Sequence, residues 1–301
     1  MNQLYLCSEY QTLYLSLIEQ ANLPELTITS RIEDANLVLA DPPKFAKHIE
    51  KAENLAWLQS TYAGCDALLA QDKRDYLLTN VRGIFGPLMS EYVFGQLFTL
   101  TRHLAHYRDA QSKKQWSVLP YESLINKKLV ILGTGSIGAH VAGTAKHFGM
   151  KVTGISRSGQ TTAPFDTVFT TSQLSVALSD ADVIVSTLPS TSETQGLLNQ
   201  HTLSACNKAI LFNVGRGSVL DENALLVALE KGHIRHAVLD VFASEPLDEN
   251  HPFWAHPAVT ITPHISAVSF PEQVFAIFTE NYRRWHEGNS LQYAVDFDLG
   301  Y

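Results

Sequence analysis

The run Lys128-Leu129-Val130-Ile131-Leu132-Gly133-Thr134-Gly135-Ser136-Ile137-Gly138 leaves this chain few folds to choose from. Residues 129–132 are apolar without alternation, the pattern of a strand covered on both faces in a parallel sheet. They run straight into Gly-x-Gly-x-x-Gly, after which Ile137, Val141, Ala145 and Phe148 recur on one face of a helix. Strand, glycine turn and helix in that order give the motif its meaning. Gly133 permits the tight turn, Gly135 lets a pyrophosphate approach the backbone, and Gly138 lets helix and strand pack closely. Ser136 and Ile137 open the helix, where N–H groups and the positive dipole end suit phosphates. The alternative is an ordinary strand–helix turn that binds nothing.

Residues 151–155 read as the next strand. At the end of such a strand an acidic residue normally reads a ribose 2′-hydroxyl. Here the residues are Ser156, Arg157 and Ser158, with no carboxylate among them. A guanidinium and two hydroxyls suit a phosphate dianion, through charge-assisted hydrogen bonds. The loop therefore favours NADP (NADPH) over NAD; the alternative is that Arg157 is a solvated loop cation.

The remaining segments read as alternating strands and helices. Strands are expected at 4–6, 37–40, 55–59 and 76–79, with a helix over 10–19, which implies a small parallel α/β domain. A loop containing Ala63, Gly64 and Cys65 follows the third of these strands. Open α/β sheets bind ligands in such loops, and backbone N–H groups there could hold a carboxylate. Cys65 itself reads as a small packing residue, since no base lies near it in sequence. Residues 87–110 read as one long helix leaving the first domain. Further buried strands are expected at 181–186, 209–213, 236–239 and 259–262, and a helix over 222–231 is closed by Gly232. Asn213, Arg216, Asp240 and His264 all fall at or just past carboxyl ends of these strands, where ligand crevices form.

Composition excludes several classes. At 301 residues the chain can hold two domains with substantial cores. A net charge of −8 with no basic stripe argues against nucleic acid, so an anionic substrate must meet local cations. The three cysteines, Cys7, Cys65 and Cys206, show no metal-ligand spacing, and no metal is expected. No apolar run is long enough to span a membrane and no signal-peptide pattern precedes residue 20, so a cytoplasmic protein is expected.

Chemistry at a keto carbonyl beside a carboxylate needs a permanent cation, a proton donor working near neutral pH and a carboxylate to orient that donor. Arg216, between two glycines, supplies a fork of donors. His264 supplies the proton, and Glu245 could orient it and favour its charged form. Taken alone each has a dull alternative: a surface turn residue, a solvated carboxylate, or one of twelve histidines.

In their order these residues resemble the D-isomer-specific 2-hydroxyacid dehydrogenase family. The motifs that carry the resemblance are the glycine turn, Leu188-Pro189-Ser190-Thr191-Ser192-Glu193-Thr194-Gln195-Gly196, Asn213-Val214-Gly215-Arg216-Gly217, Leu239-Asp240-Val241-Phe242 with Glu245-Pro246-Leu247, His251-Pro252-Phe253-Trp254, and Thr262-Pro263-His264. The likeness extends over roughly residues 55–301 and is weak before them. The Ser156-Arg157-Ser158 and 62–66 loops look most similar to its glyoxylate/hydroxypyruvate reductase branch.

The resemblance implies an α/β protein of two parallel-sheet domains. A Rossmann nucleotide-binding domain (94–265) is inserted into a flavodoxin-like substrate domain (1–93 and 266–301). It implies Arg216 as substrate anchor, with Ala63, Gly64 and Cys65 beside it, His264 as acid–base and Glu245 as its partner. Leu188, Pro189, Thr194, Asn213, Val214, Gly215, His264 and Ser266 would line the cofactor, and Asp240 would bind the nicotinamide carboxamide or tune the site. The expected activity is NADPH-dependent reduction of a small 2-keto acid to the D-2-hydroxy acid by a homodimer. Two alternatives stand beside it: a non-catalytic dinucleotide sensor or corepressor on the same fold, and a dehydrogenase of another small anion such as formate or phosphite.

Overall fold

A computed structural model describes residues 1–300, and its contacts divide the chain into two compact units, 1–84 with 269–301 (described to 300) and 85–268. The first unit begins β1 (Asn2–Cys7), α1 (Gln11–Ala21), β2 (Leu26–Ile28), β3 (Leu37–Ala40), α2 (Pro42–Phe45), β4 (Trp57–Ser60), α3 (Asp66–Leu69) and β5 (Leu77–Thr79). Its five strands are parallel in the order β2-β1-β3-β4-β5, the flavodoxin-like order. Every residue of β3 and β4 is buried, as central strands of a parallel sheet covered on both faces should be.

The second unit opens with α4 (Phe85–Thr101) and α5 (Leu104–Ser112). It continues through β6 (Lys128–Leu132), α6 (Ser136–His147), β7 (Lys151–Ser156), β8 (Thr167–Thr170), α7 (Leu174–Leu178), β9 (Val183–Ser186), α8 (Gln200–Ser204), β10 (Ala209–Asn213), α9 (Glu222–Glu230), β11 (Ile234–Leu239) and β12 (Val259–Ile261). The seven strands are parallel in the order β12-β11-β10-β9-β6-β7-β8. Numbered from β6 this is the doubly wound order 3-2-1-4-5-6 with one strand added, and it reverses between β6 and β9. One core fills each face. Ile131, Val141, Ala145, Val185 and Phe212 lie in one, and Leu132, Ile184, Leu211, Leu225 and Leu239 in the other.

The chain then returns to the first unit through α10 (Pro271–His286). Phe278 stacks on Trp57 at 5.5 Å between ring centroids. Beneath them Trp57 Nε1 donates to Thr79 Oγ1 (2.8 Å), Thr79 to Gln59 Oε1 (2.8 Å), and Asn281 Nδ2 to the same Gln59 oxygen (3.1 Å). A fully buried polar chain of this kind is costly unless each member is satisfied, so it fixes α10 on the first sheet in one arrangement. Val295 N then donates to Leu78 O, and Ala294 bridges Thr79, adding the tail to that sheet.

Three expectations differ from this architecture. The helix expected over 87–110 is two helices, broken at His103, whose φ of +54° is left-handed. The break separates α4, in which eight of seventeen residues are buried, from α5, in which only Ala110 is buried. The short strands β2 and β8 were not anticipated, because three or four residues carry too little periodicity to stand out. The units divide at 84/85 and 268/269, whereas the expected boundaries were 93/94 and 265/266. The whole of α4 packs on α6, with Gly86 so close to His140 that a Cβ would lie 2.8 Å from the His140 Cβ. Ala267 likewise packs on the second unit's core.

Candidate active site

The strand-order reversal in the second unit places the ends of β6 and β9 side by side, and the glycine turn leaves there. Gly133 adopts φ +102°, and a Cβ on it would meet Thr187 Oγ1 at 2.7 Å. Gly138 sits against the turn so tightly that a Cβ would fall 2.0 Å from Gly133 O. Gly135 has nothing within 4 Å of its would-be Cβ and is exposed, as is Ser136. The first turn of α6 carries no acidic residue, and its N-cap, Gly135, offers no side chain to its N–H groups. Space beside Gly135, donors without a cap and a positive dipole end fit a pyrophosphate. Ile137 is half-buried and holds the helix to the sheet.

At the end of β7, Ser156 Oγ accepts from Gly159 N (3.1 Å) and Ser158 Oγ from Gln160 N (3.3 Å), which closes a small turn with the exposed Arg157 on it. A carboxylate that bonds the β7 backbone, Asp166, does so at the opposite end, through Val152 N. The Lys146 ammonium beside it holds that carboxyl below its ordinary range. A guanidinium and two hydroxyls on one turn fit a ribose 2′-phosphate.

Close glycine contacts carry the site onward. A Cβ on Gly215 would lie 2.5 Å from Leu188 O, so the loops after β9 and β10 touch backbone to backbone. Asn213 Nδ2 donates to Arg216 O (3.0 Å), and Val214 N donates to Ser186 O. Arg216 Nη1 donates to Gly215 O (2.9 Å), with the guanidinium half-buried at the loop tip. A Cβ on Gly217 would fall 1.9 Å from Phe242 C, which locks the Arg216 loop onto the loop after β11. Pro189 O accepts from Thr194 Oγ1 (2.6 Å), and Thr194 also accepts from Thr191 N, so that hydroxyl closes its own loop below Leu188.

Glu245 joins this loop to the histidine. Its Oε1 accepts from Phe242 N (2.9 Å) and its Oε2 lies 2.8 Å from His264 Nδ1. The carboxylate can only accept, so Nδ1 carries a proton and Nε2 is left for exchange with a substrate. The pair is 52% and 36% exposed, so its net stabilisation is at most about 1 kcal/mol and its value is orientation. His264 itself has φ +54°, a left-handed conformation that costs a non-glycine residue about 1–2 kcal/mol.

Arg216, Glu245 and His264 thus stand on adjoining loops of one sheet edge. Asp240 is 0% exposed, and its carboxylate accepts from Thr262 Oγ1, Ile265 N and Ser266 N. A carboxylate so enclosed fixes the turn that carries His264. The backbone N–H of Ser266, also buried, is committed to the same contact. Sequence reading missed Glu222, which braces Ala243 N and lies 3.4 Å from His251, and it missed Tyr92, bonded to Thr262 at 2.6 Å. No local pattern marks either, since each meets its partner only through the fold.

In the first unit, the 61–65 loop leaves the carboxyl end of β4. Thr61 Oγ1 donates to the buried Asp41 (2.6 Å), Ser60 Oγ accepts from Tyr62 N, and Asn80 Nδ2 donates to Ala63 O (2.8 Å). Ala63 and Gly64 are half-buried, and Cys65 packs into the core at 4% exposure. Among the described residues, no group of three or more His, Cys, Asp or Glu is arranged to hold a metal ion, and no helix is long and apolar enough to cross a membrane.

Comparison with known proteins identifies the family. Residues 94–266 match the model of the D-isomer specific 2-hydroxyacid dehydrogenase NAD binding domain. Glyoxylate/hydroxypyruvate reductase A of Photorhabdus laumondii is 37% identical over 220 residues, covering 72% of this chain and 69% of that one. A D-isomer specific 2-hydroxyacid dehydrogenase family protein of Aeromonas salmonicida superposes with TM-score 0.93 at 48% identity, covering 99% of both chains. The D-isomer specific 2-hydroxyacid dehydrogenase of Xanthobacter autotrophicus Py2, solved with NADPH and MES, superposes at 0.87 with 29% identity, covering 100% of this chain and 99% of that one. With its glycine turn, its arginine loop and its histidine–glutamate pair on one sheet edge, the chain belongs to the D-isomer specific 2-hydroxyacid dehydrogenase family and is an NAD(P)-dependent oxidoreductase.

Proposed function

We propose that the protein reduces a small 2-keto acid of the glyoxylate or hydroxypyruvate type to the D-2-hydroxy acid, using NADPH. The observation that carries this reading is the His264–Glu245 contact at 2.8 Å, on loops locked by glycine to the one bearing Arg216. Arg216 holds the substrate carboxylate with its planar fork and polarises the neighbouring carbonyl. The backbone N–H groups of Ala63, Gly64 and Cys65 are proposed as further donors to that carboxylate. When bound, the reduced nicotinamide supplies a hydride to C2. Glu245 holds Nδ1 of His264, so that Nε2 delivers the proton to the alkoxide oxygen as it forms. A sensor has no use for an oriented proton donor, which sets the catalytic reading above the corepressor alternative.

NADPH is favoured over NADH by the Ser156-Arg157-Ser158 turn and by the NADPH complex of the Xanthobacter relative. The reading includes a cytoplasmic homodimer. Low cysteine content suits a reducing compartment. Trp116, Val118 and Ile125 are 99%, 79% and 65% exposed on the arm after α5, more apolar surface than a solvated arm needs. Initial rates with glyoxylate and hydroxypyruvate, each against NADPH and NADH, test the proposal. Turnover with NADPH well above NADH is expected. NADPH binding without turnover of either acid would overturn it in favour of a sensor.

A further inference from the structure

His264 is held in a conformation its residue type disfavours, and what holds it is Asp240. His264 N donates to Asp240 O (2.9 Å), while Ile265 N and Ser266 N donate to the two carboxylate oxygens at 2.9 Å each. One fully buried residue therefore satisfies three successive N–H groups of the turn that carries the histidine. Asp240 is fixed in its turn by Thr262 Oγ1, which donates to Oδ1 at 2.5 Å. The ionised carboxylate cannot donate, so the proton of that bond belongs to Thr262. The Thr262 oxygen then accepts from the Tyr92 hydroxyl at 2.6 Å, and Tyr92 stands on α4. The direction of the chain is thus fixed: Tyr92 to Thr262 to Asp240. Burial pushes the Tyr92 phenol up to about 12, so the donor at its head stays protonated through the whole working range.

We propose that Tyr92, Thr262 and Asp240 are positioning residues for the reaction: this hydroxyl–carboxylate chain clamps the 264–266 turn and so sets where the His264 imidazole stands. The proposal rests on His264 being the proton donor. Arg216 and the glycine turn lie outside the chain, so the clamp acts on the proton-transfer step through the 264–266 turn.

Thr262→Val removes the central hydroxyl at similar volume and leaves a buried carboxylate oxygen short of a donor. Loss of a hydrogen bond to a buried charge, together with a displaced donor, lowers kcat by about tenfold or more. KM for the keto acid stays within about threefold, because Arg216 lies outside the chain. Thr262→Ser keeps the hydroxyl and restores kcat. Tyr92→Phe, which keeps the ring in its packing, gives a smaller fall in kcat and serves where Thr262→Val folds poorly.

Hydrogen-exchange mass spectrometry on peptides spanning 262–268 gives a readout apart from turnover. The amides of Ile265 and Ser266 exchange faster in Thr262→Val by about tenfold or more, and return toward wild type in Thr262→Ser. Wild-type exchange in Thr262→Val would overturn the clamp, as would wild-type kcat in Thr262→Val together with wild-type kcat in Tyr92→Phe. Should His264→Gln keep full turnover, the catalytic reading falls by itself, while the exchange data still report on the clamp.

Discussion

Replacing Gly138 by alanine sets two roles of the glycine turn apart. The added Cβ would lie 2.0 Å from Gly133 O, 3.1 Å from Gly133 C and 3.2 Å from Ile131 Cγ2. Bringing the first of these out to the 3.0 Å that real Cβ contacts respect requires a displacement of 3.0 − 2.0 = 1.0 Å. The obstacle is backbone, and it is itself held: Gly133 N donates to Ile155 O (2.9 Å), and Thr187 Oγ1 donates to Leu132 O (3.1 Å). The start of α6 must therefore lift from β6. Overpacking at the upper end of its usual range costs about 3 kcal/mol, and alanine's advantage over glycine in a helix returns about 1 kcal/mol. The remaining 2 kcal/mol or so lowers the melting temperature by about 4–8 °C. A misplacement of this size at a phosphate cradle also weakens NADPH binding, by about tenfold to a hundredfold. Gly135→Ala is the control. Gly135 has φ −71° and ψ −171°, open to any residue, and empty space where its Cβ would go. Its melting temperature should stay within about 2 °C of wild type, while NADPH affinity still falls because the methyl fills the approach to the backbone. Thermal melts and fluorescence titration with NADPH measure both. A Gly135→Ala protein that binds NADPH as wild type does would refute the reasoning and leave the motif an ordinary turn.

Arg157→Ala should raise the NADPH dissociation constant by about tenfold to a hundredfold, the worth of hydrogen bonds to a charged group, and leave that of NADH nearly unchanged; equal loss for both cofactors would remove the 2′-phosphate argument. Arg216→Lys should raise KM for glyoxylate and lower kcat together, since a point charge cannot replace a planar fork, and steady-state rates decide it. Burial, then Arg235 and His256, pushes the His236 imidazole below its ordinary range. The unfolded chain therefore takes up that proton first as pH falls through about 6.5, and stability drops on the acid side. His236→Gln should lose less melting temperature than wild type between about pH 7.5 and pH 5.5; an identical slope would show that His236 does not set it.

Much of the second unit was legible in the sequence because its strands are covered on both faces. Residues 129–132, 183–185 and 209–212 are all buried and read as unbroken apolar runs. Polar residues at the ends of such strands stand out for the same reason, which is how Asn213, Arg216, Asp240 and His264 were picked. Their division of labour was not legible. Asp240 lies at a strand end like the others, but the bonds that bury it come from Thr262, Ile265 and Ser266, and depend on how one turn folds back. The Tyr92–Thr262 contact joins residues 170 positions apart, beyond any local pattern. The break at His103 was hidden because apolar residues recur through both α4 and α5, and only a left-handed backbone angle separates them.

The most direct test of the account is single-turnover oxidation of bound NADPH by glyoxylate in His264→Gln, beside NADPH titration of the same protein. A lost general acid costs about a hundredfold to ten-thousandfold in rate, and glutamine keeps the size and polarity of the side chain. A fall of that order is expected, with the NADPH dissociation constant within about threefold of wild type. A rate within tenfold of wild type would contradict it, and the proton would have to come from a group other than His264.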